Sequence, residues 1–296
     1  MKYQIIHRTT YQYEGTVTVS HHLAKLAPRS LPGQHCPWHE LEIDPMPVGR
    51  GVHIDVYGNT TTYFEIEGKH EALVVCAKSL VNVVAPRKID PEMTPPWETI
   101  RDECYAERLT HGSNAGVFRF ASPMVPVSDE FLALAHSAFP PNCPILIGVI
   151  ALTKKIFTEF RFDPRATDVS TPVIEVLKRR AGVCQDFAHL MLACLRSIGL
   201  PARYVSGYIE TLPPAGQARL VGADASHAWV SVFCGDDAGW IDTDPTNDIL
   251  AGERHITLAW GRDFSDVSPL RGVTIGAGCQ RLQVAVDVIP LENSVS

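Results

Sequence analysis

Three side chains whose types and order suit covalent chemistry stand in short, distinctive settings. Cys184 lies in Gly182-Val183-Cys184-Gln185-Asp186-Phe187-Ala188-His189, His227 in Ser226-His227-Ala228-Trp229, and Asp244 in Asp242-Thr243-Asp244-Pro245-Thr246-Asn247. A thiol, an imidazole and a carboxylate are the parts of nucleophilic acyl transfer: the ring takes the thiol proton and the acid holds the ring. Their spacings of 43 and 17 residues keep the set within one compact domain. No other part of the chain offers a comparable group.

The elements that must position them can be read around each one. After Cys184, apolar residues recur at Phe187, Leu190, Met191, Cys194, Leu195 and Ile198, the three-and-four spacing of a helix face packed on a core. Ala188, Leu192 and Ala193 extend that face and predict burial on most sides. Gly199 and Pro201 stop the helix. Cys184 therefore sits in the first turn, where free backbone N–H groups and the dipole favour an anion, and Arg179 and Arg180 add positive charge just upstream. The same N–H groups can receive an oxyanion forming beside the sulfur. Cys194, on the core-facing side, is expected to be a packing residue.

Five helical residues at about 100° each turn His189 well away from Cys184. It is expected to be a packed or partly exposed histidine, not the base. His227 stands at the mouth of Ala228-Trp229-Val230-Ser231-Val232-Phe233, a strand rich in β-branched and aromatic residues. A polar turn at 235–239 leads into a second strand, Gly239-Trp240-Ile241-Asp242-Thr243-Asp244, which predicts a hairpin returning the aspartates to His227. Asp242 and Asp244 are two apart and share one strand face, so spacing leaves both open for the orienting role.

Together, Gly182 to Ala188, Gly199-Leu200-Pro201-Ala202-Arg203-Tyr204-Val205-Ser206-Gly207-Tyr208, Ser226 to Trp229, and Gly239-Trp240 leading into Asp244-Pro245-Thr246-Asn247 resemble the bacterial transglutaminase-like superfamily. The resemblance implies that Cys184 is the nucleophile, His227 the base and Asp244, before Pro-Thr, the orienting acid. It also implies a papain-like fold, with the cysteine helix packed on an antiparallel sheet. Tyr11-Gln12-Tyr13, Leu26-Ala27-Pro28-Arg29, Tyr57-Gly58-Asn59 and Gly261-Arg262-Asp263 extend it over most of the chain and resemble the bacterial branch with its own N-terminal region. Some members carry an upstream aromatic or glutamine that completes the oxyanion hole. Phe160 and Phe162 fall near that place but have no polar donor, so the second donor is unassigned.

The composition narrows the partners. A net charge of −7 without a basic run argues against a nucleic-acid groove. Met1 to Arg8 turns polar too early for a secretory signal, and no apolar stretch approaches a membrane span. Eight cysteines without CxxC pairs fit a reducing, cytoplasmic setting better than disulfides or structural zinc. The vicinal His21-His22 and the neighbours His35 and His39 are expected to be surface histidines; no metal and no cofactor is expected. Nor is there a loop with EF-hand calcium spacing.

Along the chain, residues 1–88 predict a small β-sandwich-like domain, with strands over Tyr3 to Tyr13, Glu40 to Ile43, Val52 to Val56, Thr60 to Ile66 and Leu73 to Val84. Residues 89–127 predict a linker and a connecting helix. Residues 128–296 predict the catalytic domain, with helices from Ser128, over Ile145 to Phe160 and from Thr171-Pro172 to Arg180, then strands from Ala202. Leu282 to Val288 alternates as a final half-buried strand. The fold class is therefore α+β, a transglutaminase-like core with an N-terminal sandwich-like domain. Asp186, Asp224, Trp229 and Asp242 are candidates for substrate contacts or for support of the three central residues. The expected function is attack of Cys184 on a peptide, protein or amide carbonyl through a thioester. Hydrolysis is favoured over passing the acyl group to an amine, and a non-catalytic binding module is the third reading.

Overall fold

The computed structural model describes residues 1–106, 115–211, 226–276 and 278–291. The chain begins with four strands, β1 (Lys2–Ala24), β2 (Gln34–Asp44), β3 (Gly49–Ile54) and β4 (Thr60–Val83). Helices α1 (Trp97–Tyr105), α2 (Leu132–Ala138) and α3 (Ile145–Glu159) follow. Then come β5 (Arg161–Phe162), α4 (Val173–Arg179), β6 (Ala181–Gly182) and α5 (Cys184–Ser197). Strands β7 (Ala202–Ile209), β8 (Ser226–Phe233), β9 (Trp240–Asp244), β10 (Ile249–Leu250) and β11 (His255–Gly261) lead to α6 (Phe264–Val267), β12 (Leu270–Ile275) and β13 (Gln280–Leu291).

The fold is α+β, with antiparallel sheets in both halves. The N-terminal strands form one six-stranded sheet in which β1 and β4 pair along nearly their whole length. The two runs expected at Thr60 and Leu73 are parts of the single long β4, with Gly68 at φ +100° between them. Both halves of β1 and β4 contribute to a second apolar core around Tyr13, Val17, Leu41, Phe64, Leu73 and Val75. The expected sandwich-like domain is thus built from strands of a single sheet. Alternation along β1 buries Ser20, His22 and Ala24 together, so His22 is not the surface residue expected; its ring stacks on Phe64 at 4.9 Å.

The C-terminal strands belong to this sheet as well. Lys2 to Tyr13 of β1 pair with β13, and Val19 to Ala24 with β12. The last strand, expected within the catalytic unit, therefore ties the chain's end to its beginning.

The second half is a five-stranded antiparallel sheet of order β10-β9-β8-β7-β11 covered by α5. On the other side of α5 lie α2, α3 and α4, and every residue from Asp186 to Arg196 is buried. Arg196 is 2% exposed, and its guanidinium donates to the carbonyls of Ala202 and Arg262, which fixes the path from α5 into β7. Gly199, at φ +82°, makes the turn that ends the helix.

Strand β11 is a sheet edge, and side chains from the N-terminal sheet cap it. Gln34 donates to the Thr257 carbonyl and accepts from its N–H, both at 2.8 Å. Asn59 does the same for Trp260, at 2.8 and 3.0 Å. Arg29 and Arg203 lie over the Trp260 ring, each 3.6 Å from its centre. An exposed edge is thereby paired without adding a strand.

Candidate active site

Helix α5 starts where a carboxylate can hold it. The Asp186 Oδ2 accepts from the N–H of Val183 at 2.8 Å and from the Thr167 hydroxyl at 2.6 Å. This one-sided cap, in which Val183 returns no side-chain bond, fixes the first turn that carries Cys184. Asp186 is 3% exposed, and its carboxylate is spent on Val183 and Thr167 at the helix start. Cys184 is partly exposed, whereas Cys194 is fully buried and its thiol is pushed far up by that burial. The positive charge expected from Arg179 and Arg180 is engaged elsewhere: Arg179 meets Glu175, and Arg180 meets Glu159 at 2.7 Å.

His227 and Asp244 come from neighbouring antiparallel strands. Val230 pairs with Thr243 and Ser231 with Asp242, so the two ends of the hairpin that carry His227 and Asp244 meet beside the start of α5. The His227 Nε2 lies 2.7 Å from the Asp244 Oδ2, and Cys184 is near enough to the ring to help raise it. With Nε2 turned to Asp244, Nδ1 is the nitrogen left for the thiol. Burial pulls His227 down, but the bonds and charges of Asp244 and Cys184 outweigh it and push the ring up to about 10. Asp244 is fully buried. Burial alone would raise it, yet bonds from His227, His255 and Asn247 hold it well below the usual carboxylate range.

The other candidates separate cleanly. Asp242 accepts the indole N–H of Trp229 at 2.9 Å and does not reach the His227 ring. Trp229 is wholly buried, 6.1 Å from His227 and 5.2 Å from His255 between ring centres, so it supports the site from beneath. Asp224 lies outside the described residues. His189 is 3% exposed, accepts from the Phe264 N–H at 3.2 Å, and is lowered by burial to about 4. Phe160 is buried against Phe187, while Phe162 is half-exposed on the strand beside Gly182.

Two residues at the centre had no assigned role in the sequence. Asn247 donates to the Asp244 Oδ2 at 2.6 Å, and His255 approaches the same oxygen at 3.2 Å. The signal for His255 was present: like His227, it opens a strand of β-branched, aromatic and apolar residues.

His227, Asp244 and His255 place three possible metal-ligand atoms within 4.8 Å of one another. Two ligands on one tetrahedral zinc lie about 3.3 Å apart. The 2.7 Å between His227 and Asp244 is a hydrogen bond's length, and in this arrangement the group acts as a buried, hydrogen-bonded carboxylate.

This geometry can be set beside known proteins. Residues 3–82 match the bacterial transglutaminase-like N-terminal region, and residues 144–245 match the transglutaminase-like superfamily. An uncharacterized protein of Mycobacterium tuberculosis is 39% identical, over 99% of this chain and 94% of its own length. The chain belongs to the transglutaminase-like superfamily.

A solved relative shares the whole architecture of this transglutaminase-like chain. It is a candidate cysteine protease from Cytophaga hutchinsonii, with a TM-score of 0.75 at 20% identity, covering 99% of this chain and 92% of that one. Over a shorter stretch, a protein-glutamine gamma-glutamyltransferase of Pseudomonas aeruginosa is 34% identical, across 32% of this chain and 15% of that protein. The superfamily match spans Cys184, His227 and Asp244, and ends just beyond the aspartate.

Proposed function

We propose that the protein is a thiol-dependent acyl-transfer enzyme that hydrolyses a peptide, protein or amide substrate through a thioester on Cys184. The observation that carries this reading is the His227 ring, held by Asp244 at 2.7 Å and raised further by the neighbouring Cys184. The carboxylate fixes the tautomer and stabilises the imidazolium, which in turn stabilises a thiolate.

The steps balance as follows. The Cys184 thiolate attacks the substrate carbonyl, and the oxyanion forms beside the free N–H groups at the start of α5. The C–N bond breaks as His227 gives its Nδ1 proton to the departing amine, which leaves a thioester and a neutral imidazole. His227 then takes a proton from water while the oxygen attacks the thioester. The carboxylic acid departs, and the thiolate–imidazolium pair is restored. No second oxyanion donor is assigned.

If an amine takes the place of water, the same parts perform transglutamination. The partial similarity to the gamma-glutamyltransferase supports keeping this as the second reading. Eight unpaired thiols support a reducing, cytoplasmic setting. No helix among the described residues is long and apolar enough to cross a membrane.

A peptide library incubated with and without a primary amine tests the proposal by mass. Hydrolysis of a side-chain amide exchanges ammonia for water, a net gain of about 1 mass unit, and backbone cleavage gives two fragments that together gain about 18; amine incorporation loses about 17 and adds the amine. Turnover that survives in Cys184→Ala would refute the thioester route.

A further inference from the structure

Asp244 receives more hydrogen bonds than a Cys-His-Asp set requires. Its Oδ2 accepts from His227 at 2.7 Å, from Asn247 at 2.6 Å and from His255 at 3.2 Å, while its Oδ1 accepts the Thr246 N–H at 2.9 Å. His255 differs from the others because it comes from a separate strand, at the far edge of the sheet.

The ring's own contacts decide its tautomer. The Gly252 N–H donates to His255 Nδ1 at 3.3 Å, so Nδ1 is an acceptor and the ring proton sits on Nε2. His255 Nε2 therefore donates to the Asp244 Oδ2. Its side chain is 3% exposed and packs edge-on against Trp229, with ring centres 5.2 Å apart. Two residues further along β11, Gln34 grips both backbone groups of Thr257. The N-terminal sheet thus holds the strand, the strand holds His255, and His255 holds the acid.

We propose that His255 is a positioning residue that locks the Asp244 carboxylate in line with His227, anchored through β11 by Gln34 of the N-terminal sheet. The proposal rests on the reading that Cys184 and His227 form a thiolate–imidazolium pair. It gives the N-terminal region a part in the chemistry: without its grip on β11, one donor to the acid is free to drift. Outer hydrogen bonds that orient metal ligands carry effects of about 10-fold or more, and a bond that orients a buried acid is expected to act in the same way.

The test is the rate of Cys184 alkylation by iodoacetamide from about pH 5 to about pH 10, which needs no substrate. Full-length wild type is compared with His255→Leu, His255→Gln and Gln34→Ala, each checked for folding by circular dichroism. At about pH 6, His255→Leu is expected to be alkylated about 10-fold more slowly than wild type, and the two rates should converge near pH 10. His255→Gln, whose amide can donate as the ring does, is expected to recover most of the loss. Gln34→Ala should share it in part, and supplies the test should His255→Leu not fold. Folded His255→Leu with wild-type reactivity at about pH 6, or His255→Gln as slow as His255→Leu, would overturn the proposal. A wild type that reacts only under alkaline conditions would instead remove the ion pair itself, and this inference with it.

Discussion

Trp229 donates its indole N–H to Asp242 at 2.9 Å, two residues along each strand from the His227–Asp244 bond of 2.7 Å. The two aspartates share a face of β9 and face two aromatic rings that share a face of β8. Each acid is committed to its own ring. Only one of those rings reaches the thiol.

Asp244→Asn is therefore expected to lower kcat/KM by about a thousandfold or more, because the imidazolium loses its partner and its orientation. Asp242→Asn should leave kcat/KM within about threefold and cost about 1 kcal/mol of stability through the weakened Trp229 bond. Steady-state kinetics and urea unfolding on both variants check this. The opposite ranking of activities would reassign the acid.

Asp186 should behave as a cap. Asp186→Ala is expected to cost about 1–2 kcal/mol, while Asp186→Asn, which keeps an acceptor oxygen, should cost much less. A methyl at position 182 would stand 2.6 Å from the Asp186 Oδ2 and 2.8 Å from its Cβ. Gly182→Ala is expected to push the cap aside, lowering the Tm and Cys184-dependent turnover together. Thermal melts with activity assays read both. Full activity in a destabilised Asp186→Ala protein would separate the cap from the chemistry.

The pH dependence of stability follows from the same pair. His227 is raised from 6.5 to about 10, so its contribution is full below about pH 6.5 and is lost as pH climbs toward 10. Asp244 is lowered, so its contribution is full above the ordinary carboxylate value and is lost as pH falls beneath it. Both act together in the weakly acidic range. The gap in Tm between wild type and His227→Gln should be widest at about pH 5–6 and close toward pH 10. A gap that does not change with pH would contradict the charged pair.

The parts of this site that were legible in the sequence are those with local signals. Cys184 precedes a helical repeat closed by Gly199 and Pro201, and His227 and Asp244 flank a hairpin with a polar turn. The rest depends on contacts between distant segments. Nothing in local periodicity tells β13 to pair with β1, or places Gln34 against Thr257 across more than two hundred residues. Arg179 and Arg180 lie near Cys184 in sequence, yet they point to Glu175 and Glu159. Spacing left Asp242 and Asp244 both open and the resemblance pointed to Asp244, but which acid meets His227 is read from the pairing of β8 with β9.

If Cys184 and His227 act as one unit, their losses should not add. Cys184→Ala and His227→Ala are each expected to remove nearly all turnover, and the double variant should be little worse than either. Kinetic constants for the three proteins close the cycle. Fully additive losses would describe two independent groups.

The most direct measurement is the titration of the His227 ring by NMR in protein labelled at histidine, with His227→Gln to assign the signal. The ring should stay protonated through neutral pH and titrate at about 10, moving down in both Cys184→Ala and Asp244→Asn. A ring that titrates near 6.5 in the wild type, and is indifferent to either substitution, would contradict the account.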